Sequence, residues 1–280
     1  MKSSLILKIL FVVALLISLL APFTFQKINK PKKVIVEEPV KIVKPPKVIE
    51  KPLHSVVLPD FAIIKDIKQK KEQFFGFIRP SIDQENQKLL EIRILLKHWL
   101  EKVSLEETLT EQEIGSLSAL IKTYKVSEQY SLLQQLNELL VRVDVIPAPL
   151  VLVQAANESA WGTSRFARIG LNFFGIWCYR QGCGMVPSGR NQGARHEVAA
   201  FQSVDESVSR YLYNINTNNA YIVFRAIRAQ LRAQNQPLQP EVLATGLLPY
   251  SERGTDYVLD ITAMIRHNRS YFTTVTKQAD

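Results

Sequence analysis

The sequence predicts a mainly α fold with a small β-hairpin lobe. Two observations carry that expectation. Apolar residues recur at helical spacing through most of residues 60–160, which marks amphipathic helices. One Gly-rich polar stretch, GMVPSGRNQGARHEVAAF at residues 184–201, passes into alternating residues, the pattern of a hairpin. With 46% hydrophobic residues among 280, the chain can bury a substantial core in one or two domains.

Taken in order, residues 1–25 place Lys2 and Lys8 ahead of an apolar run over residues 9–25. Such a run is membrane-targeting, either an anchor or a signal segment. Ala21 follows two Leu and precedes Pro22, a poor small-x-small cleavage site, which favours an uncleaved anchor. Lys27, Lys30, Lys32 and Lys33 flank its far side and oppose export by the positive-inside tendency. Residues 26–59 alternate Pro, Lys, Val and Ile, and Pro biases its neighbours toward extended backbone, so this stretch reads as a semi-rigid tether. Its positive charge suits an anionic lipid surface or anionic envelope polymers.

Residues 60–144 read as a helical region. Phe61, Ile64, Ile67, Phe74 and Ile78 share a face over 61–78, and Leu89, Ile92, Leu96 and Trp99 share one over 82–100. Thr110 with Glu113 forms a capping-box pattern, and Ser127 can cap the following helix. No catalytic cluster and no internal repeat is visible there.

The net charge of +9 is concentrated at one end. Residues 1–52 hold ten Lys and three Glu, a balance of +7, which leaves +2 for the rest. A nucleic-acid groove needs Lys and Arg clustered on the fold itself, so a nucleic-acid partner is not expected.

Pro147 and Pro149 suit the first turn of a helix reaching about Ser159. On it Val151, Ala155 and Glu158 fall on one face. Glu158 thus interrupts an apolar stripe in the last turn, where the helix dipole and burial beside Trp161 would both disfavour ionisation. A carboxyl group that keeps its proton near neutral pH suits general acid catalysis. Periodicity alone equally allows a helix-end Glu leaning into solvent.

Cys178 and Cys183, the only cysteines, lie in WCYRQGCG. An even count on an exported chain favours a disulfide. A lone C-x4-C pair is a poor zinc site, and a partner thiol would quench Cys178 as a nucleophile beside His196. Neither a metal nor a cofactor is expected.

NESAWGTSRFA at 157–167 followed by LNFFGIW at 171–177 resembles the glucosaminidase domain of bacterial cell-wall hydrolases, glycoside hydrolase family 73. FQSVDESVSRYLYNI, NNAY and GTDYVLDI fit later segments of that family, the last with two residues missing between Asp256 and Tyr257. Within that group the chain resembles the Bax-like proteins of proteobacteria, and it is similar to the glucosaminidase half of the flagellar rod-cap protein and to autolysins. The resemblance implies a lysozyme-like α domain over residues 145–270 that acts on the glycan strands of peptidoglycan after N-acetylglucosamine. It implies a periplasmic location, with the inner membrane held through the N-terminal segment.

By the same resemblance Glu158 matches the catalytic acid. Glu197 is the best match to a second carboxylate on the lobe; the alternative is an exposed strand Glu paired with Arg195. Tyr257 matches a catalytic cleft tyrosine, while Trp161, Asn172, Phe174 and Tyr221 are substrate-binding candidates that could instead serve packing. Two other readings stay open: a lytic transglycosylase, and a membrane-tethered glycan-binding scaffold without activity.

Overall fold

The computed structural model describes residues 51–190 and 193–272. The membrane-targeting segment and most of the tether lie outside the described residues. Among the described residues, no helix is long and apolar enough to cross a membrane.

The fold is mainly α with one small sheet, as the sequence implies. Helix α1 (Ile67–Ser104) is a single helix of 38 residues with Pro80 inside it, where the sequence suggested two helices. Proline removes the bond to the carbonyl four residues earlier, here Gly76. Both Gly76 and Pro80 are exposed, so water can satisfy the freed carbonyl. The buried stripe Phe74, Ile78, Ile82, Leu89, Arg93 and Leu96 meanwhile runs unbroken past them. That stripe holds the helix together, since packing of one face contributes more to helix stability than local propensity does. Phe61 lies outside α1, in a turn, with its ring 5.4 Å from Phe74 and 6.0 Å from Phe77.

Helix α2 (Glu111–Thr123) starts with the full capping box of Thr110 and Glu113. Helix α3 (Leu132–Arg142) starts with a second box, made by Ser131 and Gln134. Ser127, the cap suggested by sequence, instead receives the Gln129 N–H in the preceding turn at 3.3 Å. Helix α4 (Ala148–Glu158) has Pro at its start and no side-chain cap. Its residues Leu150 to Ala156 are all buried. The apolar stripe of the sequence is therefore a helix enclosed on every side, packed against α1 and three later helices.

After α5 (Arg165–Gly170) come β1 (Trp177–Cys178), β2 (Gly184–Met185) and β3 (Glu197–Ala199). They form a three-stranded antiparallel sheet with β3 in the middle, pairing Trp177 with Val198 and Met185 with Val198. The hairpin expected over 184–201 is present, and β1 adds a third strand. Helices α6 (Val204–Thr217), α7 (Ile222–Ala233), α8 (Pro240–Ala244), α9 (Thr255–His267) and α10 (Arg269–Phe272) complete the chain, with 3-10 turns at Asn219–Tyr221 and Thr245–Tyr250. Helices α8, α9 and α10 are the three that join α1 around α4.

The described residues form one compact unit, so the helical region at 60–144 is packed into the region that follows it. The end of the tether joins this unit as well. The N–H of Leu53 donates to the Ile169 carbonyl at 2.8 Å, and the Gln202 amide donates to the Leu53 carbonyl at 3.3 Å.

Candidate active site

Helix α4 ends in a tight reversal that fixes Glu158. Ala160, Trp161 and Gly162 have φ of 50°, 58° and 75°, three successive left-handed residues of which only glycine adopts that form without steric cost. Ser159 compensates for part of it. Fully buried, its hydroxyl donates to the Ala155 carbonyl at 2.6 Å and accepts the Gly162 N–H at 2.8 Å. Gly175, with φ 66°, brings a second backbone segment close, and a Cβ there would stand 3.9 Å from Glu158 Oε2.

Glu158 is half-buried, and desolvation pushes its carboxyl above the usual range. Three groups oppose that shift without overcoming it: the Asn157 amide, which donates to Oε1 at 3.1 Å; the neighbouring Tyr257 hydroxyl, a hydrogen-bonding influence that favours the carboxylate; and the positive charge of Arg253. The balance favours a carboxylic acid that still has its proton when an isolated Glu would have lost it.

A cluster of phenols surrounds it. The rings of Tyr250 and Tyr257 stack at 5.4 Å with planes 7° apart, and Tyr211 stacks on Phe174 at 4.2 Å. The Tyr250 hydroxyl donates to the Phe174 carbonyl at 2.8 Å. Beneath them lies Gln154, whose Nε2 donates to the Tyr257 hydroxyl at 2.8 Å and whose Oε1 accepts from the Tyr211 hydroxyl. Burial raises Tyr221 to about 12 and raises Tyr211, Tyr250 and Tyr257 well above their ordinary value. These hydroxyls are therefore neutral hydrogen-bonding groups near neutral pH. Such a site can hold a protonated carboxyl group next to an incoming ligand and support the anion left when the proton departs.

Of the residues singled out from sequence, the structure brings Glu158, Tyr257, Phe174 and Tyr221 together. Trp161 points elsewhere: its ring packs on Phe74 at 5.6 Å and Phe75 at 5.3 Å, with Lys71 Nζ 5.6 Å above it. Asn172 is buried, and its amide is fully used by the chain. Nδ2 donates to the carbonyls of Ile176 and Ala199, both at 2.9 Å, and Oδ1 accepts from the N–H groups of Phe174 and Ile176. All the hydrogen-bonding capacity of an amide is consumed there, so Asn172 shapes the turn that carries Phe174.

Glu197 lies in the lobe. It is buried, not exposed and paired with Arg195 as the alternative reading had it. Its carboxylate accepts the N–H groups of Gly182 at 3.0 Å and Gly184 at 2.9 Å, and these bonds hold it below the usual carboxylate range. Cys178 and Cys183 form a disulfide with Cα atoms 6.3 Å apart, closing the loop that holds the first of those donors and ends beside the second. The ligand atoms of Cys178, Cys183 and Glu197 lie within 4.8 Å of one another. The disulfide nevertheless leaves no thiolate for a metal.

Sequence reasoning passed over Gln154, Ser159, Tyr211 and Tyr250. Gln154 had a readable signal, being the one amide in LVLVQAA and one helical turn before Glu158. Tyr211 and Tyr250 reach the site through tertiary packing, which no local spacing reveals.

The glucosaminidase family, described as mannosyl-glycoprotein endo-beta-N-acetylglucosaminidase, matches residues 133–270. The match begins inside α3 and includes Glu158, the phenol cluster and the lobe. Over 216 residues the chain is 34% identical to the protein named protein bax of Escherichia coli (strain K12), covering 77% of this chain and 76% of that relative. No solved structure gives a significant match. With its carboxyl group at the end of α4 inside the matched region, and with that extent of similarity to a full relative, the chain belongs to the glucosaminidase family.

Proposed function

We propose that this protein is a peptidoglycan hydrolase that cleaves the β-1,4 glycosidic bond after N-acetylglucosamine, with Glu158 as general acid. The observation that carries the reading is the half-buried Glu158 carboxyl, pushed up by desolvation amid neutral phenols, in a chain of the glucosaminidase family. A sugar alkoxide is a poor leaving group. In the proposed step Glu158 gives its proton to the glycosidic oxygen as the bond to the anomeric carbon breaks and positive charge develops on the sugar ring. A water oxygen then bonds to that carbon and releases a proton, which restores the acid.

Glu197 is the candidate for the second carboxylate. Its lowered ionisation range suits an anion at neutral pH, as needed to activate water in an inverting reaction, where the two carboxyls stand about 6.5–9.5 Å apart. The substrate's N-acetyl oxygen could attack the anomeric carbon in its place, in which case Glu197 serves the lobe alone. Tyr257, buried and bonded to Glu158, acts through the acid. Tyr221 and Phe174 form the apolar floor beneath the sugar.

The location belongs to the same proposal: export, with residues 1–25 held in the inner membrane and the unit from Glu50 onward facing the wall. The apolar run and the disulfide support it, while the Lys residues at 27–33 act against it.

The test is mass spectrometry of purified glycan strands incubated with the full-length protein in detergent. The expected products are fragments with a reducing N-acetylglucosamine end, each heavier by one water. Anhydro-sugar ends would assign a lytic transglycosylase. Binding without cleavage would assign a glycan-binding scaffold.

A further inference from the structure

We propose that Gln154 is a positioning residue that sets the direction of the hydrogen bonds reaching Glu158, and through them the readiness of the acid to release its proton. The inference rests on the reading of Glu158 as a general acid.

Gln154 and Glu158 lie one turn apart on α4, so their side chains leave the same face of the helix. Gln154 is 0% exposed. A buried amide is destabilising unless both its ends are bonded, and every other residue from Leu150 to Ala156 is apolar. Its presence there calls for a reason beyond packing. Both ends are engaged: Tyr211 donates to Oε1, and Nε2 donates to the Tyr257 oxygen at 2.8 Å.

The order of donors is what matters. A phenol has one proton. Because Nε2 meets the Tyr257 oxygen as a donor, the Tyr257 proton remains available to Glu158, and that bond favours the ionised carboxylate. Donors therefore run in one direction, from Tyr211 to Gln154 to Tyr257 to Glu158, and each bond polarises the next. An acceptor in place of Nε2 would draw the Tyr257 proton away and leave the forming Glu158 anion without its donor.

The groups facing Glu158 are Asn157 on α4, Tyr211 on α6, Tyr221 and Tyr250 on the 3-10 turns, Arg253 in the turn before α9, and Tyr257 in its first turn. The phenols are pushed far above neutrality. Arg253 keeps its charge in an ion pair with Asp260. As pH rises, Glu158 is accordingly the first member of this group to change its charge, and an alkaline limb of the rate would report it.

Gln154→Glu replaces the donor with an acceptor for both tyrosines. In the full-length protein its alkaline limb should move up by about one pH unit or more, the loss of one hydrogen bond to a charged group. The same substitution made in a Tyr257→Phe background removes the route and should move the limb clearly less, by whatever its added charge does through space. Gln154→Met, which keeps the length, adds no charge and offers Tyr257 only a weak acceptor, should shift the limb clearly less than Gln154→Glu does with Tyr257 present, and not at all with Phe. Equal shifts in the two backgrounds, or a limb unmoved while the rate falls uniformly, would overturn the positioning role. A measurement independent of catalysis separates this failure from failure of the glycosidase reading. The difference in melting temperature between each protein and its Glu158→Gln variant, followed against pH, gives the pH at which Glu158 ionises. If the protein never cuts glycan but that pH still rises more in Gln154→Glu than in the same substitution made with Tyr257→Phe, the relay stands and the acid assignment falls. If the pH stays fixed, the relay falls.

Discussion

Glu158 sits where its charge is disfavoured, and the consequence reaches stability as well as chemistry. Its folded-state range lies above that of an unfolded Glu, so between the two values the folded state holds the proton more tightly. The contribution of Glu158 to stability is then fully present at low pH and is lost as pH rises through the folded value. Glu158→Gln removes that loss. The variant should melt higher than the native protein at pH 7–8, and this advantage should shrink toward pH 4, as calorimetry can record. Tyr257→Phe behaves differently: it strands Gln154 Nε2 in a buried setting, which costs about 1–3 kcal/mol. Its turnover per folded molecule should fall as well. The half-buried place of Glu158 was legible from sequence because a carboxylate interrupted an apolar face, whereas a catalytic part for it was an expectation carried by the family resemblance. The trade made by Asn172 was not, since its four hydrogen bonds go to backbone atoms up to 27 residues away.

The lobe is an element built on backbone donors. A loop of six residues closed by Cys178 and Cys183, with the first residue of β2 after it, points the N–H groups of Gly182 and Gly184 at Glu197 on β3. Both cysteines should resist alkylation in the native protein until reductant is added, as mass spectrometry of the labelled protein can show. Glu197 ties its contribution to pH in the opposite sense to Glu158. Its folded range is lowered, so the contribution is present above the unfolded value and is lost as pH falls through the folded one. Hydrogen exchange of the lobe should accordingly quicken in acid before that of α4 does. The disulfide could be read from the even cysteine count and an expected export, whereas the buried state of Glu197 could not: an alternating strand in sequence does not say that a neighbouring loop will fold over it. The continuity of α1 was hidden for a related reason, because Pro80 is a breaker by rule and only the packed stripe beneath it shows why the helix persists.

At the scale of the whole molecule, one buried charge joins the two regions that sequence separates at residue 144. Asp144 lies between α3 and α4 and is 1% exposed. It meets Arg93 of α1 at 3.4 Å and Arg232 of α7 at 2.9 Å, with Arg228 at 4.0 Å. Burial alone would push its carboxyl up, but the three arginines together hold it down. Arg228 also donates to the carbonyls of Val141, Arg142, Asp144 and Val145, which locks the entry to α4. Asp144→Asn would leave buried cations unpaired, and unfolding in denaturant should show a loss of about 3–5 kcal/mol. Because α1 supplies both Arg93 and the Phe74–Phe75 seat of Trp161, a fragment of residues 145–270 should not fold alone. Circular dichroism and protease resistance would reveal this. The tether and apolar segment ahead of this unit were readable as composition, and their proposed place in the membrane is checked by an alkaline phosphatase fusion after Asp280, which should be active.

The central claim is that Glu158 delivers the proton that breaks a glycosidic bond, and its most direct test is the rate of glycan cleavage by the native protein and by Glu158→Gln across pH 5–9. The amide keeps the shape of the side chain but cannot give up a proton in the same way. Cleavage should fall by about 10² to 10⁴ fold, glycan binding should persist, and the native protein's decline at alkaline pH should be absent from the variant's residual rate. A folded Glu158→Gln protein that cleaves at the native rate, with the same alkaline decline, would contradict it.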